Sequence, residues 1–72
     1  MNYELDLFID GTFESKNLSD DEIEAISPVD ENHFEVAWKS PCSGKIKVAL
    51  ARGSYVAFSK EWFKEKFKKV VL

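Results

Sequence analysis

Two stretches, HFEVAW (33–38) and KIKVALA (45–51), alternate large apolar residues with small or polar ones at a period of two. That period belongs to a strand, whose successive side chains point to opposite faces; one face of a helix needs a period of 3.6. A chain with this signature must build a sheet and then bury one of its faces. YELDLFI (3–9) repeats the pattern, with Tyr3, Leu5, Leu7 and Ile9 on the inward side. Asp10-Gly11 follows it, a dipeptide suited to the positive φ angles of a two-residue hairpin turn, and TFES (12–15) is the expected return strand. The inward sets of the later strands are Phe34, Val36 and Trp38, then Ile46, Val48 and Leu50, then Val56 and Phe58 of a short strand over 55–58. These faces agree if the connections are a five-residue loop, SPCSG, and a three-residue loop, RGS.

Two helices are expected around these strands. LSDDEIEAISP (18–28) carries Ser19 as N-cap with Glu22 three residues on, the two halves of a capping box. Leu18 and Ile23 fit a hydrophobic staple, Asp20, Asp21 and Glu22 sit where the helix dipole favours negative charge, and Pro28 ends the segment. Ile23 and Ile26 would face inward. In FSKEWFKEKFKKVV (58–71), Ser59 can cap a helix whose wheel places Trp62, Phe63, Phe67, Val70 and Val71 on one half. The lysines and glutamates take the other half, with Glu65 at pairing distance from Lys68 and Lys69. The expectation is therefore a single α+β domain over 1–72 in the order ββ-α-βββ-α, an antiparallel sheet with an amphipathic C-terminal helix packed on one face. In element order alone, the αβββα portion over 19–71 resembles a double-stranded-RNA-binding domain.

Seventy-two residues with ten aromatic rings can fill one small core but no more. One cysteine allows no internal disulfide, and MNYELDLFIDG has neither the basic region nor the continuous apolar run of a signal peptide. A cytoplasmic protein is expected, with no membrane partner, since no apolar run approaches the ~20 residues of a spanning helix.

Catalytic chemistry has little to work with. The chain holds one histidine, His33, and one cysteine, Cys42, too few for a zinc site within a single chain. The hairpin places them roughly 20 Å apart, which rules out a thiolate–imidazole pair. DDEIE lacks the glycine and ligand spacing of a calcium loop, and the three glycines are isolated rather than gathered into a phosphate cradle. Neither an enzyme nor a cofactor is expected.

Charge is the stronger clue to partners. Residues 1–35 hold eleven acids and one base, a net of −10; residues 36–72 hold nine bases and two acids, a net of +7. The expected outer face of the 33–58 meander carries Ala37, Ala49, Ala51 and Ala57, with Tyr55 nearby and Lys39, Lys45 and Lys47 at its rim. Small residues there suit the close approach of another chain. The expected function is a non-catalytic protein-binding module, a small regulator or inhibitor of a larger macromolecular machine, of phage or mobile-element type. Its contact residues would be Lys39, Lys45, Lys47, Tyr55, Ala49 and Ala51, together with Asp20, Asp21 and Glu24 of an acidic half able to mimic phosphates. The alternative is a nucleic-acid-binding module using Lys45, Lys47, Arg52, Lys60, Lys64, Lys68 and Lys69, against which stands the negative net charge.

Overall fold

The computed structural model describes the backbone of residues 2–70 and the side chains of 2–68. Five strands precede one helix: β1 (Asn2–Ile9), β2 (Thr12–Ser19), β3 (Ile23–Asp30), β4 (His33–Lys39), β5 (Ile46–Arg52) and α1 (Tyr55–Val70). All pairings are antiparallel, and the sheet order is β2-β1-β5-β4-β3. The α+β class, the antiparallel sheet and the C-terminal helix are as the sequence implies. The first helix is not: residues 23–30 form a strand, and with that helix goes the element-order analogy to an RNA-binding domain.

The Ser19/Glu22 signal is real but closes a turn. The Ser19 amide donates to Glu22 Oε1 at 2.9 Å, and the Glu22 amide donates to Ser19 Oγ at 3.2 Å and to the Ser19 carbonyl at 3.1 Å. Only five residues separate Glu22 from Pro28. So short a helix has little cooperativity, whereas a strand through Ile23, Ile26 and Val29 gains a ladder with β4. Pro28 is tolerated because β3 is an edge strand.

β2 and β3 are the two edges of the sheet, yet the three residues 20–22 join them. In a flat sheet those edges would lie ~19 Å apart, four strand spacings. The four Cα steps from Ser19 to Ile23 reach at most ~15 Å. The sheet must therefore curl until its edges meet at this corner, where Leu18 and Ile23 are both fully buried. Tracing the antiparallel pairings shows β2 and β3 running in the same direction, so 12–30 is one long strand bent at Asp20-Asp21-Glu22. This is how a small, partly open barrel manages its edges.

The inner face holds Leu5 and Leu7 of β1, Leu18 of β2, Ile23 of β3, and Phe34, Val36 and Trp38 of β4, as their periodicity requires. β5 departs from expectation. Its pairs are Phe34/Ala51, Val36/Ala49 and Trp38/Lys47, so the alanines face inward while Ile46 and Val48 face out. The cause is a slip of one residue. A five-residue loop would pair Lys39 with Lys45; the actual loop spans 40–45 and pairs Lys39 with Ile46. A one-residue slip turns every side chain over. Packing favours the observed register, because Phe34, Val36 and Trp38 fill the inner layer and need small partners opposite.

Residues 55–58 belong to α1, not to a sixth strand. Gly53, at φ 144°, breaks the ladder in a region other residues avoid, and Ser54 caps the helix. Ser54 Oγ accepts from the Ala57 amide at 3.3 Å, while Ser59 bonds the Val56 carbonyl inside the helix. Tyr55, Phe58 and Trp62 form the packed face. Phe58 stacks on Phe34 at 5.0 Å, Tyr3 meets Phe58 edge-on at 5.1 Å, and Trp62 Nε1 donates to the Asp20 carbonyl at 3.5 Å.

Candidate functional site

The slip in β5 decides what the outer surface offers. Phe8 (45 % exposed), Ile46 (62 %) and Val48 (57 %) project from the outer face of the sheet. Phe13 lies opposite Phe8, their rings 5.1 Å apart, and the Arg52 guanidinium covers Phe13 at 4.0 Å. Ala37 lies opposite Val48 and Lys39 opposite Ile46. The outward face of an antiparallel sheet normally carries polar side chains. This one has an apolar centre with Lys39 exposed at one end and Lys45 exposed in the adjoining loop, while Lys47, opposite Trp38, is exposed on the inner face.

Beside that patch the sheet is split. β1 and β5 pair only at Asp6/Arg52 and Leu7/Ala51, whereas β4 pairs with β5 from Lys39/Ile46 to His33/Arg52. Beyond Leu7 the chain runs on to the hairpin turn at Asp10 (φ 51°) and Gly11 (φ 84°) without further pairing to β5. Between the parted strands lies a groove of about 540 Å³. Ile9, Trp38 and Ala49 line its inner side, Phe8 and Val48 its outer side, and Lys16, Lys47, Asp10 and Glu14 complete its lining.

A second exposed apolar stripe runs along α1. Phe63 (54 % exposed) and Phe67 (69 %) point to solvent with Val56, about 100–140° around the helix from Trp62. The expectation that Phe63 and Phe67 are core residues is corrected here. With 55–58 assigned to a strand, the wheel lacked Tyr55 and Phe58, which together with Trp62 fix the packed face. Val70 and Val71 of that expected stripe lie outside the described side chains. Lys60, Lys64 and Lys68 are exposed, Lys68 reaching Glu65 at 3.7 Å, and Lys66 lies over the Trp62 ring at 4.8 Å.

The expected contact residues are thus divided. Lys39, Lys45, Lys47, Asp21 and Glu24 are exposed. Ala49, Ala51 and Asp20 are buried, the alanines because of the β5 register and Asp20 because the turn tucks it beneath Trp62, and of the three only Ala49 reaches the groove. Tyr55 is half-buried against Phe34. Of the alternative set, Lys45, Lys47, Arg52, Lys60, Lys64 and Lys68 are exposed, but Arg52 covers Phe13, and Lys69 lies outside the described side chains. Sequence reasoning missed Ile46 and Val48 as surface residues, whereas Phe8 already falls on the outward side of the 3–9 alternation. The signal was present in the length of the 40–45 loop, which fixes the register.

Cys42 is exposed in that loop. His33 Nδ1 lies 2.9 Å from Asp30 Oδ1. The Asn32 amide, and secondarily His33, hold the Asp30 carboxyl below its ordinary value. No cluster of metal-ligating side chains occurs among the described residues, and no helix among them is long and apolar enough to cross a membrane, a statement that does not extend to strands. No protein-family model, curated protein or solved structure matches the chain.

Proposed function

We propose that this chain is a non-catalytic protein-binding module, a small regulator or inhibitor that docks on a larger macromolecular partner through the outer face of its sheet. The observation that carries the reading is the apolar centre formed by Phe8, Ile46 and Val48 on a face that chemistry would otherwise keep polar. Contiguous exposed apolar surface rimmed by polar residues is characteristic of protein contact sites. Aromatic and aliphatic side chains at the centre with lysines at the rim follow the usual anatomy of an interface. The test is affinity capture of a partner from the native host by the full chain, with nuclease treatment, compared with Val48→Glu. The reading expects a nuclease-resistant protein partner that Val48→Glu loses and Lys64→Glu retains.

One observation favours a second reading. Lys60, Lys64 and Lys68 recur every fourth residue beside the exposed Phe63 and Phe67, and lysine with aromatic side chains is a known platform for single-stranded nucleic acid. Capture that is abolished by nuclease and by Lys64→Glu, with Val48→Glu harmless, would promote it.

A further inference from the structure

We propose that the split between β1 and β5 receives an extended segment of the partner protein, which adds as a strand to the open edge of β5. The inference rests on the protein-binding reading and names the form that the partner takes. β5 is a full strand over Ile46–Arg52, but its pairing with β1 ends at Leu7/Ala51. Residues Ile46–Ala49 are therefore paired on the β4 side alone. In a strand, alternate residues direct both N–H and C=O toward the same neighbour. Half of the backbone groups along 46–49 consequently face the groove with no strand opposite them. An unpaired strand edge is a template for another strand, and extended peptides are commonly recognised by this means.

The other two edges are less suited. β3 carries Pro28, which has no amide to donate, and register shifts on either side of Ala25–Pro28. β2 offers Thr12–Ser19, whose exposed run 14–17 is Glu-Ser-Lys-Asn, with no apolar side chain to hold a guest. The β1/β5 split joins a free edge to a groove of about 540 Å³, larger than the hollow of about 360 Å³ that adjoins Pro28–Asp30 at the β3 edge. Its walls also suit a strand, since alternate guest side chains would meet Ile9, Trp38 and Ala49 on the inner side and Phe8 and Val48 on the outer side. At this end of the molecule Lys16, Lys39, Lys45 and Lys47 are exposed against the carboxylates of Asp10 and Glu14. The guest is accordingly an extended segment that alternates apolar and acidic residues.

The probe is the capped peptide acetyl-EVEVEVE-amide, added to the isotope-labelled full chain to about 1 mM, the weak end of measurable affinity. Saturable amide shifts centred on Ile46–Ala49 and Ile9–Asp10 are expected. Two further peptides carry N-methyl groups at alternate amides, one set on each edge. One of the two is expected to bind at least tenfold more weakly, because it cannot pair with β5. The basic peptide acetyl-KVKVKVK-amide is expected to bind more weakly than the acidic one. Absence of saturable shifts, shifts centred on α1, equal binding of both N-methylated forms and the parent, or equal binding of the basic peptide would each overturn the inference. Should every peptide fail while Val48→Glu still loses the captured partner, strand pairing is wrong and docking through the outer face stands.

Discussion

Ala51→Leu and Val48→Ala probe the β5 register from opposite sides. Ala51 is fully buried opposite Phe34 and beside Leu7, both also buried, so the three carbons added by leucine have no space to enter. Overpacking of this kind costs ~1–3 kcal/mol. Val48 is 57 % exposed, so removing its two methyls loses less than half of ~1.6 kcal/mol of burial, about 0.7 kcal/mol, and leaves no cavity. For a chain of this size the total stability is of order ~4–10 kcal/mol, so the two effects are separable. Urea denaturation followed by tryptophan fluorescence, with linear extrapolation, measures both. Under the register of a five-residue loop, with Val48 inside and Ala51 outside, the order reverses: Val48→Ala becomes the costly change and Ala51→Leu is close to neutral. Observation of that reversed order would refute the reasoning.

Two further outcomes are expected. Trp62→Ala should cost ~3–5 kcal/mol and Phe67→Ala less than about 0.5 kcal/mol in the same assay, because the first empties the packed face of α1 and the second trims a solvent-facing ring. Asp30 should titrate below its ordinary value of 3.8, and His33→Ala should raise it only part of the way, since the Asn32 amide is the larger cause. A carboxyl with a depressed folded pKa contributes stability above its unfolded pKa and loses it as the pH falls through the folded one, so any contribution of Asp30 should disappear below 3.8 and not near neutrality.

Much of the fold can be read from the chain itself. Alternation in 3–9 and 33–38 identifies the correct inward residues, because Tyr3, Leu5, Leu7 and Ile9 outweigh the lone Phe8 opposite them and 33–38 has large apolar side chains on one face only. KIKVALA is ambiguous, since alanine is small enough to be buried and valine apolar enough to be mistaken for core; only pairing with β4 separates the two. The Ser19/Glu22 box is satisfied in the structure, but reciprocal side-chain bonds across three residues stabilise a tight turn as readily as a helix start. Ser59 was expected to cap α1, but Gly53 ends the β5 ladder earlier and Ser54 takes the cap. The candidate site was the least legible part, because the split between β1 and β5 is a matter of which strands stay paired and has no residue pattern of its own.

Amide hydrogen exchange of the free chain, read residue by residue, tests the open edge most directly. Ala51 lies between β1 and β4 and should be protected, while along Ile46–Ala49 protection should alternate, two amides slow where they face β4 and two fast where they face the groove. Uniform protection of all four would mean that β1 closes on β5 along its whole length, and neither the groove nor a strand-accepting edge would exist.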